Sequence, residues 1–321
     1  MTDYKSVIAE STLDTFKKDP KAIILGEGVA DSKGIFGTTK LAHDIFPDRV
    51  IETPLSENML TGALAGLAHN GYHPIYVHAR AEFSLLAFEH MVNTIAKWPW
   101  LHDGEPLPII IRMLVGRGWG QGPTHSQSFH AMLSQVPGLE VVYPTDRDLL
   151  RDQYKFTKGM KPRIVFEPRR LYDMVWDNSV LWGFRSRADV RINPVGDTVI
   201  EAGEAAQQLH ARFGVRASVE PIQRDYQSTP PYIPEGQTPH VLVDSTPKKK
   251  TNYGMGSLGV MDLHPPFTPT PTAHRLEQDW YVSVEEIVEA ACILVGKVYS
   301  PPDGDVSTTT PQERDGTKEA F

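Results

Sequence analysis

Two stretches of this 321-residue sequence put chemically capable side chains where a fold could use them. The first is Val50-Ile51-Glu52-Thr53-Pro54-Leu55-Ser56-Glu57-Asn58-Met59-Leu60, which reads as an apolar strand end, a proline turn and a helix running to Gly71. Ser56 is placed to cap that helix and Gly71 to end it. Glu57 then falls in the first turn, where the helix dipole favours a carboxylate whatever its role. Behind it, Gly62, Ala65 and Gly66 recur at i, i+3 and i+4, at a propensity cost of about 1 kcal/mol per glycine. Such a stripe suits close approach by another backbone, and a carboxylate at its mouth would lie beside the contact. The second stretch is Gly116-Arg117-Gly118-Trp119-Gly120-Gln121-Gly122-Pro123-Thr124-His125-Ser126-Gln127. Its glycines permit unusual backbone angles and close approach of a ligand. The Walker and dinucleotide spacings are absent, so a phosphate cradle is weakly supported. Imidazoles change charge near neutral pH, so His125 suits general acid–base work; a hydrogen-bonded loop histidine fits the spacing equally. The G-x-S-x-G elbow that would make Ser126 a nucleophile is missing.

The elements that must position these residues alternate. Ala22-Ile23-Ile24-Leu25, Pro74-Ile75-Tyr76-Val77, Pro108-Ile109-Ile110-Ile111-Arg112-Met113, Leu139-Glu140-Val141-Val142 and Arg163-Ile164-Val165-Phe166 read as buried strands. Helical spacing falls at 4–18, 38–46, 84–98 and 146–158 between them. Alternation of this kind predicts an α/β fold, a parallel sheet covered by helices on both faces. Parallel sheets carry their sites at the carboxyl ends of strands, where the Gly116–Gln127 loop begins. A second unit opens near Val195, with a helix at 203–213, strands at 216–220 and 240–244, and a closing helix from Ser283 to Lys297. Ser283 and Glu286 form a capping-box pattern there.

Composition narrows the function. Hydrophobic content of 40% and charged content of 22% describe a soluble globular chain, and a net charge of -8 argues against nucleic acid or anionic membrane as the partner. The single cysteine, Cys292, excludes an intramolecular disulfide and a cysteine-based zinc cluster. No apolar run approaches the ~20 residues of a membrane helix. Met-Thr-Asp-Tyr-Lys-Ser leads into an amphipathic segment unlike a signal peptide, so the expected location is cytoplasmic.

The sequence resembles the beta subunit of the thiamine-diphosphate-dependent dehydrogenase component of 2-oxo acid dehydrogenase complexes, in the transketolase-like superfamily. The resemblance rests on Gly26-Glu27, Arg49-Val50, Thr53-Pro54-Leu55-Ser56-Glu57, Gly71 with Pro74-Ile75, Phe83, Asn93 and Ala96-Lys97. It continues through Arg112, Gly116-Arg117-Gly118, His125-Ser126-Gln127, Pro137-Gly138-Leu139, Val141-Val142 and Pro144. These run in family order over roughly residues 20–172. The resemblance implies a pyrimidine-binding domain over 1–175, a linker over 176–194, a smaller and shortened transketolase C-terminal-like domain over 195–299, and a mobile tail over 300–321.

It also implies roles. The family's glutamate after Thr-Pro-Ile-Ser falls on Glu57, which would hydrogen-bond N1′ of the cofactor's aminopyrimidine. The family's pyrimidine-stacking phenylalanine falls on Phe83, its cavity carboxylate on Glu27, and its loop histidine, near substrate and the acyl-transfer path, on His125. A carboxylic acid at N1′ favours the imino tautomer that takes the thiazolium proton, while the cofactor does the bond-breaking. The superfamily holds the diphosphate through Mg²⁺ on Gly-Asp-Gly with a later Asn. Here Gly196-Asp197 and Gly304-Asp305 each lack the following glycine. The Mg²⁺ ligands are therefore expected on an alpha-type partner subunit, the small-residue helix being the docking face. An alpha2beta2 assembly with a second copy of this chain, and a lipoyl acyltransferase downstream, are the implied partners. Trp100 replaces a family tyrosine, and the 227–239 segment is rich in proline. Both leave room for a stand-alone carboligase. The competing functions are a non-catalytic scaffold of the same fold and the pyrimidine-binding half of a split transketolase. The latter needs a basic cluster that Arg112, Arg117 and Arg169-Arg170 do not establish.

Overall fold

In the computed structural model the chain begins with α1 (Tyr4–Lys18), started by the Asp3 carboxylate, which accepts from the Ser6 N–H at 2.9 Å. It leads into β1 (Ala22–Gly26), buried at every position, as befits a strand covered on both faces. α2 (Lys40–Ile45), β2 (Val50–Glu52), α3 (Glu57–His69) and β3 (His73–His78) come next. A 3-10 turn (Ala81–Ala87) and a π turn (His90–Ile95) precede α4 (Trp98–His102). Then come β4 (Ile110–Val115), α5 (His130–Ser134), β5 (Glu140–Val142), α6 (Arg147–Asp152) and β6 (Arg163–Pro168). All six strands pair parallel, in the order β2-β1-β3-β4-β6-β5, and helices flank the sheet.

A second, smaller sheet is built from β7 (Val190–Pro194), β8 (Ala217–Val219), β9 (His240–Val243) and β10 (Val260–Leu263), parallel throughout in the order β10-β9-β7-β8. α7 (Val199–Phe213), α8 (His274–Trp280) and α9 (Val284–Leu294) accompany it. Ser283 and Glu286 make the reciprocal capping box that starts α9. The structure describes residues 2–118, 120–175, 187–224, 237–247 and 259–302. They fall into two units: Met1–Arg117, Gln127–Trp176 and Gln223–Gln227 in the first, and Gly118–Ser126, Asp177–Ile222 and Ser228–Phe321 in the second. Most of the Pro-rich 227–239 segment, and the tail beyond 302 with Gly304-Asp305, lie outside the described residues. Among the described residues no helix is long and apolar enough to cross a membrane.

Several local expectations change. The helix expected over 84–98 is broken into 3-10, π and α pieces. The Ala96 N–H reaches back five residues to Met91 O at 3.0 Å, and Pro99, which has no N–H to continue the earlier ladder, sits in the first turn of a new helix, α4. α6 stops at Asp152 rather than near 158, because the Arg163 guanidinium takes the Gln153 carbonyl at 3.0 Å. β7 lies inside the stretch read as a linker. Ser56 occupies the N-cap of α3, but its hydroxyl donates to Leu55 O at 2.7 Å instead of capping an amide. The small-residue stripe also divides: Ala65 is buried, a Cβ on Gly62 would meet the chain's own His90 ring at 2.9 Å, and Gly66 faces open space. Met59, seven residues before Gly66 on the same helix, is 59% exposed.

Candidate active site

Parallel pairing sets the ends of β2, β1 and β3 side by side, with Gly26 opposite Glu52 on one side and Val77 on the other. Gly26 is required there, since a Cβ would stand 2.8 Å from the Val77 carbonyl oxygen. The segments leaving those strand ends gather at one edge of the sheet. Glu27 after β1, Thr53 to Glu57 after β2, Tyr76 to Ala79 closing β3, and Phe83 in the next turn line a single cleft. Glu52 holds the loop beyond β1 by accepting from Gly28 N–H at 2.5 Å and Ala30 N–H at 2.9 Å. Three of the four expected site residues, Glu27, Glu57 and Phe83, are thus brought together. Glu57 and Phe83 are half-buried and Glu27 is exposed.

Tyr76 reports on both carboxylates. Burial first, and then the charges of Glu57 and Glu27, push its phenol well above the usual range. Two residues on, His78 is 1% exposed, and burial pushes its imidazole down to about 3, so it stays neutral at physiological pH. Neither ring nitrogen has a hydrogen-bond partner among the described residues, and the same holds for Thr53 Oγ1 in the cleft wall. Glu82 is buried too; burial raises its carboxyl, and one oxygen accepts from the Gln127 N–H.

His125 belongs to the second unit. It is half-buried, with Nδ1 2.8 Å from Thr124 Oγ1 and its N–H donating to Gly122 O at 3.3 Å. The glycines before it serve packing. The fully buried Glu277 of α8 accepts from the Gly118 N–H at 2.8 Å and from the Gly120 N–H. A Cβ on Gly122 would meet Thr272 Cγ2 at 2.8 Å. The amides that a phosphate would need are therefore held by a carboxylate of the same unit. Gly196-Asp197 sits in a buried 3-10 turn ahead of α7.

Sequence reasoning missed Tyr76, His78, Glu82 and Glu277. A polar residue at the carboxyl end of an otherwise apolar parallel strand is the signal that would have found His78. Nothing in the local sequence links Glu277 to a loop 157 residues upstream.

Comparison with known proteins identifies the family of the domain that carries the cleft. The family described as "Transketolase, pyrimidine binding domain" matches residues 1–174. The beta subunit of acetoin:2,6-dichlorophenolindophenol oxidoreductase from Cupriavidus necator is 27% identical over 323 aligned residues, covering 89% of this chain and 95% of that one. The beta-2 subunit of the mitochondrial pyruvate dehydrogenase E1 component from Oryza sativa subsp. japonica is 32% identical over 157 residues. That alignment covers 48% of this chain and 42% of the relative, less than half its length. Among solved structures, a split-gene transketolase described as an inactive beta4 tetramer has the same fold, with TM-score 0.64 at 18% identity over 92% of this chain and 98% of that one.

Proposed function

Since the chain belongs to the family of the transketolase pyrimidine-binding domain, we propose that it is the beta-type subunit of a thiamine-diphosphate-dependent enzyme. In this reading the enzyme decarboxylates a 2-oxo acid and passes on the resulting acyl or aldehyde unit. The observation that carries the proposal is the cleft, where Glu57, Glu27 and Phe83 meet at the carboxyl edge of three adjacent strands. A carboxylate beside an aromatic ring fits an aminopyrimidine. The described residues lining the cleft include two carboxylates and neither lysine nor arginine, so they fit the uncharged pyrimidine end of the cofactor and not its diphosphate.

Glu57 would hold the proton shared with pyrimidine N1′, Phe83 would cover the ring face and keep water from it, and Glu27 would complete the wall. When bound, thiamine diphosphate supplies the electron sink for cleaving the bond beside the substrate carbonyl. His125, in the loop fastened by Glu277, is proposed to move a proton at the substrate. The diphosphate and Mg²⁺ fall to an alpha-type partner in an alpha2beta2 assembly that includes a second copy of this chain, with a lipoyl acyltransferase as the acceptor system.

A second substrate class, a 2-hydroxyketone, is favoured by one observation: the acetoin-oxidoreductase relative aligns over nearly the whole of both chains. The test is to purify this chain with its alpha-type partner and follow bleaching of 2,6-dichlorophenolindophenol with pyruvate or acetoin as donor. Thiamine-diphosphate-dependent bleaching with either supports the proposal and identifies the class. Bleaching with neither returns the chain to a scaffold role, and turnover of a sugar phosphate instead makes it half of a split transketolase.

A further inference from the structure

His78 closes β3 as a fully buried side chain in the wall that also carries Glu57 and Phe83. Its two ring nitrogens, and the hydroxyl of Thr53 in the same wall, have no hydrogen-bond partner among the described residues. The ring meets Tyr76 edge-on at 4.7 Å, a contact that replaces a hydrogen bond only weakly. Buried donors and acceptors left unmade are costly, and nearly all are satisfied in folded proteins. An apolar side chain of similar size would fill this position without that cost if packing were its only task. The imidazole offers one donor and one acceptor. An anionic group is a poor match for it, because burial opposes protonation of the ring and the cleft wall already carries two carboxylates.

We propose that His78 is a ligand-contacting residue of the cleft, which with the Thr53 hydroxyl holds an uncharged donor–acceptor edge of the bound molecule. Resting on the functional reading above, that edge belongs to the aminopyrimidine of thiamine diphosphate or to the carbonyl and hydroxyl oxygens of the substrate.

The experiment compares wild type, His78→Phe and His78→Asn in the assembled holoenzyme. It measures thiamine diphosphate binding with Mg²⁺ by calorimetry and, separately, KM for the donor. A rise of about tenfold in the cofactor Kd of His78→Phe, partly recovered in His78→Asn and with KM unchanged, assigns the cofactor edge. A similar rise in KM with Kd unchanged assigns the substrate edge. Normal Kd and KM in a folded His78→Phe overturn the role of His78 alone, whereas a wild-type assembly that binds no thiamine diphosphate overturns the functional reading itself. If His78→Phe does not fold, the imidazole ¹⁵N resonances of wild type decide: a shift on adding cofactor or donor supports contact, and no shift with either overturns it.

Discussion

Arg112 and Glu167, both fully buried, meet in a two-pronged ion pair, Nε to Oε1 at 2.6 Å and Nη2 to Oε2 at 2.8 Å. They lie on the neighbouring central strands β4 and β6. The hydroxyls of Tyr154 and Tyr172 donate to the same carboxylate at 2.6 and 2.8 Å, and Arg112 also donates to Thr38 Oγ1 at 2.8 Å. Burial disfavours the charged guanidinium, but the Glu167 charge and hydrogen bonds outweigh it and hold the Arg112 pKa above its usual value. The network ties the loop after β1 to the sheet centre, and that loop begins at Glu27.

Removing one member leaves an uncompensated buried charge. Glu167→Gln should therefore destabilise the fold by about 3–5 kcal/mol, read from urea unfolding. A change below about 1 kcal/mol would show that the pair is dispensable.

Acid stability should depend on His78. Its unfolded pKa is near 6.5 and its folded value about 3, so between those limits the unfolded chain binds a proton that the folded chain does not. Stability is therefore unaffected above pH 6.5 and falls with pH below it, by about 2 kcal/mol at pH 5 from this group. His78→Phe should unfold with a flatter acid limb between pH 6.5 and 4. An unchanged pH profile would show that another group governs that limb.

The glycine loop before His125 should loosen when Glu277 is removed. Glu277→Ala leaves the Gly118 and Gly120 amides without their acceptor, at a cost of about 1–3 kcal/mol. Hydrogen exchange at those two amides should accelerate and turnover should fall. Equally slow exchange in the variant would mean that the loop is held by other contacts.

Gly66 separates the isolated chain from its assembly. Its Cβ position is open, so Gly66→Ala should stabilise the chain by up to about 1 kcal/mol through helix propensity. Gly66→Leu should then block co-purification of the alpha-type partner, because a bulky side chain overpacks a close helix contact. Intact assembly of Gly66→Leu would remove α3 from the interface.

The parts of this fold legible in the sequence are those fixed by short-range pattern. Ala22 to Leu25 and Ile110 to Met113 read as buried strands because burial on both faces demands unbroken apolar runs. The cleft trio of Glu27, Glu57 and Phe83 is reached through family order, whereas spacing alone leaves Glu57 an ordinary first-turn acid. Tertiary relationships stay hidden. The division of Gly62 from Gly66 depends on where the His90 ring lies, and Gly138 is needed where a Cβ would fall 2.0 Å from Ala96 O, just past the π turn at His90–Ile95. His78 is marked in the sequence only as a polar end to an apolar strand; that its buried ring nitrogens find no partner among the described residues is a property of the folded wall.

Cofactor activation in assembled wild type and Glu57→Gln bears most directly on the thiamine diphosphate reading, followed as exchange of the thiazolium C2 proton of the bound cofactor into deuterated water. An amide cannot supply the shared proton, so exchange should slow by about 100-fold or more. The unfolding free energy of the variant should stay within about 0.5 kcal/mol of wild type. Exchange at the wild-type rate in a folded, cofactor-loaded Glu57→Gln assembly would contradict that reading and leave Glu57 a carboxylate that serves only its helix.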